Sequence, residues 1–266
     1  MDADVIVVGG GPAGSTAARE IASRGHRVLL LDRADFPRDK ACGGGVSMKT
    51  AALLPLDLSP VTERIATGVI LGDPSTRMIP RDHDQPILYL TQRRRLDALL
   101  LDAAREAGVD IREGQHVQAV RRDAEGTYEV VARRDDTLTT YRARVVVGAD
   151  GANSVVARDL GFGPPEERGV ALEGNLPCPN GVPPWLEHRV LISFATVPGG
   201  YGWLFPKGDH VNVGVGGLVE AGPGLRTELA RFTGLFGWDV EELRDVRATR
   251  CRSGAAAGAW RAAVRL

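Results

Sequence analysis

The chain has 266 residues, 43% hydrophobic and 25% charged, with a formal net charge of -1; that is enough for a sizeable core and gives no electrostatic reason to expect a nucleic-acid partner. Three widely spaced cysteines, Cys42, Cys178 and Cys251, are too few for a disulfide framework or a zinc site, so no metal is expected. No apolar run approaches the ~20 residues of a membrane span and no basic region precedes the short apolar start, so the expected location is a reducing cytoplasm, with peripheral membrane contact left open.

The first elements form a nucleotide unit. Val5 to Val8 is too short for a helix and β-branched, which predicts a buried parallel strand. Gly9, Gly11 and Gly14 then fit G-x-G-x-x-G: a tight turn, a close approach for a pyrophosphate, and close packing of helix on strand. The helix, roughly residues 13 to 24, turns its free amides and positive dipole end to the phosphates. "HRVLLL" is the second strand, and Asp32 stands at its tip, where a carboxylate can accept from a ribose diol.

Further along, Ser47 can cap a short helix, and "RIATGVILGD" and "RMIP" read as strands of a second sheet. "TQRRRLDALLLDAAREAG" is a helix with Leu96, Leu99, Leu100 and Ala103 on one face. Three alternating runs, around Val117 to Arg121, Tyr128 to Ala132 and Leu138 to Tyr141, predict an antiparallel meander. Val145 to Val147 reads as another buried strand, ending in Gly148, Asp150 and Gly151 before a helix that Asn153 or Ser154 could cap. Asp150 and Gly151 there are either a cofactor contact or a plain acidic turn.

Strands "LISFATV" and "VNVGVGGLV" flank "PGGYGWLFP", which puts Tyr201, Trp203 and Phe205 on one face of an extended segment and Gly202 on the other. Three of the chain's aromatics within five residues form a wall, either ordinary core or a surface for an apolar ligand. A helix is expected near 224–236. The last residues, "RCRSGAAAGAWRAAVRL", hold six Ala and four Arg and no acid, and resemble no packed element.

Four segments together, "GGGPAG", "FPRDKACGGGVS", "GADGANSVVAR" and the aromatic stretch, resemble the geranylgeranyl reductase family of FAD-dependent oxidoreductases, relatives of the aromatic hydroxylases. The family pattern P-x-x-Y-x-W-x-F-P, with a later Gly, is matched by Pro198, Tyr201, Trp203, Phe205, Pro206 and Gly214. The resemblance implies an α/β fold: a Rossmann-like FAD-binding domain with a parallel sheet and a meander (1–60 and 85–165), and a mostly antiparallel substrate domain (61–84 and 166–236). Residues 237–266 are read as an atypical tail. They stand where the family's third FAD motif, a Gly-Asp-Ala turn, should follow, so a shortened chain is expected.

By the same resemblance the cofactor is FAD, reduced by NADPH or ferredoxin, and the substrate an isoprenoid or prenyl lipid; no obligate protein partner is evident. The FAD contacts implied are Gly9, Gly11, Pro12, Ala13, Gly14, Asp32, Arg33, Lys40, Cys42, Gly43, Gly44, Val117, Asp150 and Gly151, with Arg93, in an R-x-x-x-D pattern closed by Asp97, reaching the phosphates. Arg93 is otherwise one exposed member of an Arg run. Gly45, Tyr201, Trp203, Phe205 and Pro206 would meet the substrate. Three successive glycines let the backbone lie flat against a planar ring, the flavin by this resemblance. Cys42 beside it is either a proton donor or a small buried filler, and Tyr201 is the other candidate donor. The rival readings are a flavin monooxygenase or halogenase and a non-catalytic fragment.

Overall fold

The computed structural model describes residues 1–54, 56–73, 76–162, 168–194 and 196–252. In chain order its elements are β1 (Val5–Val8), α1 (Pro12–Ala22), β2 (Val28–Leu31), β3 (Gly45–Ser47), α2 (Met48–Ala51), β4 (Thr62–Ala66), β5 (Gly68–Asp73), β6 (Arg77–Asp82), β7 (Leu88–Thr91) and α3 (Arg93–Glu106). They continue with β8 (Asp110–Arg112), β9 (His116–Arg122), β10 (Tyr128–Arg134), β11 (Thr137–Ala143), β12 (Val145–Gly148), α4 (Val155–Asp159), β13 (Arg168–Pro177), β14 (Arg189–Phe194), β15 (Tyr201–Pro206), β16 (His210–Leu218), α5 (Leu225–Gly234) and β17 (Arg244–Arg252).

The unbroken apolar runs of β1 and β2 follow from burial on both faces. Val5, Val7, Val28 and Leu30 pack against Ala18 of α1 and Leu101 and Ala104 of α3. Ile6, Val8, Leu29 and Leu31 pack instead against the meander β9–β10–β11 and Val156 of α4. The parallel sheet runs in the order β12-β1-β2-β8. The expectation that Val145 to Val147 is buried fails here: β12 is an edge strand, and Val145 is 48% exposed.

The second sheet has seven strands, β17-β13-β16-β15-β14-β5-β6, all antiparallel neighbours except β14 with β5. "RIATGVILGD" does not make one strand. The chain breaks at Thr67, so β4 joins β3 and β7 in a small sheet while β5 enters the large one. Alternation sets the two faces of the large sheet. Leu204, Val211, Val213 and Val215 pack under α5 with Leu225, Leu229 and Phe232, and fully burying one ring such as Phe232 contributes about 1.5–3 kcal/mol. The opposite face carries Trp203, Phe205, Asn212 and Glu173 toward the nucleotide half.

The expected tail from 237 onward is corrected in its first part. Trp238, Val240 and Leu243 pack on the core, and β17 adds an edge strand by pairing with β13. Residues 253–266, most of the Ala- and Arg-rich stretch, lie outside the described residues.

Candidate functional site

The glycine turn after β1 packs closely at two of its glycines and is open at the third. A Cβ at Gly14 would lie 1.7 Å from Gly9 O, and one at Gly9 would lie 2.4 Å from Ala149 O, so both positions exclude a side chain to let α1 and the β12 turn close in. Gly11 is different: a Cβ there would meet only two guanidiniums, Arg38 Nη2 at 3.7 Å and Arg93 Nη2 at 3.9 Å. Gly11 is the N-cap of α1, with Pro12 as the first residue and no side chain capping the turn. Ala13 is exposed beside it. Open backbone, a helix start and two cations together could hold an anion such as a phosphate.

The two guanidiniums are held by one carboxylate. Asp97, on α3 and 0% exposed, accepts from Arg93 Nε at 2.6 Å on Oδ1 and from Arg93 Nη2 at 2.7 Å on Oδ2, and Arg38 Nη1 lies 2.8 Å from the same Oδ2. Arg93 is therefore a half-sequestered, doubly bonded residue, and the reading of it as an exposed member of the run is overturned. Burial pulls Arg93 toward a lower pKa, but the bonds to Asp97 and the nearby Cys42 side chain outweigh it and hold it above the ordinary value. Arg38 Nη1 is buried against Asp97 and is engaged through this ion pair, while Nη2 of the same guanidinium faces Gly11. Nothing in the sequence distinguished Arg38 from its neighbours.

Asp32 is buried at the tip of β2, with Oδ2 accepting from Gly10 N–H at 2.6 Å and Oδ1 from Ala34 N–H at 2.8 Å. Each oxygen keeps a lone pair for a ribose hydroxyl. Arg33 is exposed next to it. Lys40 is exposed at the rim, its pKa pulled down by partial burial and then by Arg93, Arg38 and Arg33. Two expected contacts have structural work of their own. Asp150 accepts from Ser154 Oγ, from Val155 N–H at 2.7 Å and from Val156 N–H at 3.3 Å, so its carboxylate fastens the start of α4, while Gly151 takes φ +85° in the open. The Val117 side chain belongs to the core between the meander and the parallel sheet, so it offers a ligand no surface.

The turn 42–45 lies directly against the aromatic row. A Cβ at Gly43 would be 3.0 Å from the Phe205 ring and 3.1 Å from Trp203 Nε1, and one at Gly45 would be 3.1 Å from Phe205. On the other side of β15, Gly202 gives way to the Phe232 ring. Trp203 is buried, Phe205 half-buried, Pro206 buried and Tyr201 47% exposed at the outer end, with the Tyr201 and Trp203 ring centroids 5.8 Å apart. Trp203 stands opposite Gly214 in the β15–β16 register and its six-membered ring occupies the space above that glycine, the physical reason for a glycine at that spacing. Cys42 is exposed, which overturns the picture of a buried filler; its Sγ accepts from Gly44 N–H at 3.4 Å.

Beside the row, on the same face, runs a polar strip that sequence reasoning missed. Trp203 Nε1 donates to Asn212 Oδ1 at 2.8 Å, and Asn212 Nδ2 to Asn175 Oδ1 at 3.1 Å. Glu173 and Lys207, both buried, line a cavity of about 120 Å³ with Cys42, Arg93, His210 and Arg247. Burial raises the Glu173 pKa against the Cys42 N–H and the charges of Lys207, Arg247 and Arg93. Burial likewise lowers Lys207, to about 8, against Glu63, Cys42 and Glu173. One signal for Lys207 was available: it is one of three lysines in a chain that otherwise uses Arg.

The FAD binding domain family model matches residues 2–233. The chain is 34% identical over 234 residues to a menaquinone reductase of Mycolicibacterium smegmatis, covering 82% of this chain and 56% of that protein. It is 32% identical over 233 residues to a chloroplastic geranylgeranyl diphosphate reductase of Oryza sativa subsp. japonica, covering 81% and 49%. The structure resembles that of a geranylgeranyl bacteriochlorophyll reductase-like protein from Thermoplasma acidophilum, with a TM-score of 0.79 and 26% identity over 93% of this chain and 65% of that one. Flavin-dependent halogenases share the fold, with TM-scores of 0.74 and below. The chain thus spans about half the length of the curated relatives it matches. The glycine cradle and the two guanidiniums beside Gly11 have the form a dinucleotide pyrophosphate would need, and by the match over residues 2–233 this chain belongs to the FAD binding domain family.

Proposed function

We propose that the protein is an FAD-dependent reductase that saturates double bonds of a geranylgeranyl or other isoprenoid chain, drawing electrons from NADPH or ferredoxin. The contact of the Trp203 and Phe205 rings with the Gly43 to Gly45 turn carries this reading. It sets a row of rings beside a flat backbone, and an isoprenoid, having almost no hydrogen-bonding groups, is held only by such apolar contact and shape.

When bound, the reduced flavin supplies a hydride to one carbon of the double bond. The chain's residues do the rest. Gly9 and Gly14 let the turn and α1 close up, Gly11 leaves room for the pyrophosphate, and Arg38 and Arg93 neutralise it. Trp203 and Phe205 orient the alkene and keep water out. We assign the proton for the second carbon to Cys42 Sγ, which sits on the glycine turn itself, whereas Tyr201 stands at the exposed end of the row. Phe194, Tyr201, Leu218 and Val219, exposed at that end of the sheet, support entry of a prenyl lipid from a membrane surface. Among the described residues no helix is long and apolar enough to cross one.

A flavin halogenase or monooxygenase is the second reading, favoured by the shared fold. Against it, the segment Tyr201-Gly202-Trp203-Leu204-Phe205-Pro206 lacks the W-x-W-x-I-P form of the halogenase branch. The test is anaerobic: purified protein with FAD is reduced with dithionite, then mixed with a geranylgeranyl lipid. Flavin reoxidation with a gain of two hydrogens per double bond supports the reductase. Product formation only with oxygen, and with oxygen incorporated, overturns it in favour of the monooxygenase. Binding without reoxidation points to a non-catalytic fragment.

A further inference from the structure

The turn Cys42-Gly43-Gly44 has every reason to be loose. It has two glycines in succession, another after them, and a positive φ of +67° at Gly44, and glycine loses more conformational freedom on ordering than any other residue. Yet its backbone polar groups are taken up one after another. Cys42 N–H donates to Glu173 Oε1 at 2.5 Å; Gly43 O accepts from Lys207 Nζ at 2.8 Å; Gly44 O accepts from Thr91 N–H at 2.8 Å and Thr91 Oγ1 at 3.0 Å. Lys207 Nζ also donates to Thr91 O at 2.8 Å, which ties the turn's two anchors to each other.

The two charged anchors come from the other half of the molecule. Glu173 is in the middle of β13 and Lys207 follows β15 directly. Across the large sheet Trp203, Gly214, Glu173 and Arg247 stand in one row on four neighbouring strands, and the missing side chain at Gly214 is filled by the indole. Glu173 therefore shares a face with the aromatic row and reaches the same turn from the side. No ion pair joins Glu173 to Lys207 among the described residues; each spends its charge on the backbone of the turn. Burying a carboxylate and an ammonium for this purpose is costly.

We propose that Glu173 is a positioning residue, with Lys207 as its counterpart: through the Cys42 N–H and the Gly43 carbonyl they fix the glycine turn from the substrate sheet, so that the turn, Cys42 and the aromatic row keep one geometry toward the flavin. This rests on the reading of the turn as flavin-facing and adds the residues that hold it. Glu173 acts here as an acceptor, not as an acid.

The test compares Glu173→Ala with Glu173→Gln in the purified chain with FAD, because Gln keeps a carbonyl acceptor and loses the carboxyl. Two quantities are read: amide hydrogen exchange at Cys42, and FAD affinity by flavin fluorescence. The Ala variant is expected to exchange the Cys42 amide at least about tenfold faster and bind FAD about tenfold more weakly, the scale of one hydrogen bond to a charged group. The Gln variant, which keeps a neutral acceptor, is expected to recover about half of the loss on a logarithmic scale in both, about threefold from the parent. Unchanged exchange at Cys42 in the Ala variant overturns the proposal, and so does a Gln variant as impaired as Ala. Should Ala fail to fold, Lys207→Met read at the Gly44 amide takes its place, with the same faster exchange expected and unchanged exchange overturning. None of these readouts involves a prenyl substrate, so a failure of the reductase reading leaves them intact.

Discussion

Trp203 and Gly214 occupy one another's space: a Cβ at Gly214 would lie 2.0 Å from Trp203 Cζ2 and 2.4 Å from Cε2. Gly214→Ala must therefore push the indole off its seat and break its bond to Asn212, which is 2.8 Å long. The expected cost is about 1–3 kcal/mol of stability. Denaturant unfolding followed by Trp fluorescence measures it, and a variant as stable as the parent with an unshifted emission spectrum would falsify the packing described.

Arg38 and Arg93 share Asp97, so their contributions to phosphate binding should be coupled. Each single change to Ala is expected to weaken FAD binding by about tenfold, and the double change by less than the product of the two. Asp97→Ala, which leaves two guanidiniums facing each other in a buried site, should destabilise the protein by about 3–5 kcal/mol. Fluorescence titration with FAD and thermal unfolding decide this; an Arg38→Ala protein with parental affinity removes Arg38 from the site.

Lys207 makes stability depend on pH in an unusual direction. Burial lowers its pKa from the ordinary lysine value of about 10.5 to about 8. Below pH 8 the amine is charged in both folded and unfolded chains and the folded state bears the full cost of burying it. Between about 8 and 10.5 the unfolded chain still holds the proton and the folded one has released it, so this group's contribution improves as pH rises, by up to about 3 kcal/mol. The neutral amine keeps two N–H donors for Gly43 O and Thr91 O. Compared with Lys207→Met, the parent should gain stability from pH 7.5 to pH 10 in urea titrations. A difference that stays flat, or shrinks, contradicts it.

Asp150 is tested as a helix cap against a cofactor contact. Asp150→Ala should cost about 1 kcal/mol, whereas Asp150→Ser, which keeps a capping oxygen, should recover most of it. If the Ser variant is as stable as the parent but binds FAD far more weakly, the carboxylate has a ligand role besides the cap.

Much of this arrangement was legible because it is local or periodic. The apolar runs of β1 and β2, the glycines between them and the alternation of the meander each depend on neighbours a few residues away, and they appear where periodicity places them. The break at Thr67 and the exposure of β12 were not legible, since one depends on which sheet each half of a strand joins and the other on a position at a sheet edge. β17 was missed because its residues read as tail, while their pairing with β13 comes from residues about 75 positions earlier.

The sequence by itself determined the nucleotide cradle, the Asp32 tip, the Arg93–Asp97 pair four residues apart on α3, and the single face of Tyr201, Trp203 and Phe205, since backbone period and glycine sterics act within one element. Only the tertiary structure decided what those parts face. It brought Arg38 beside Gly11, set Trp203 over Gly214, and carried Glu173 and Lys207 across to the Cys42 turn, 131 and 164 residues away from their bonding partners along the chain. Contacts at such separations leave no periodic trace, because they arise from the packing of one sheet against another rather than from the conformation of any single segment.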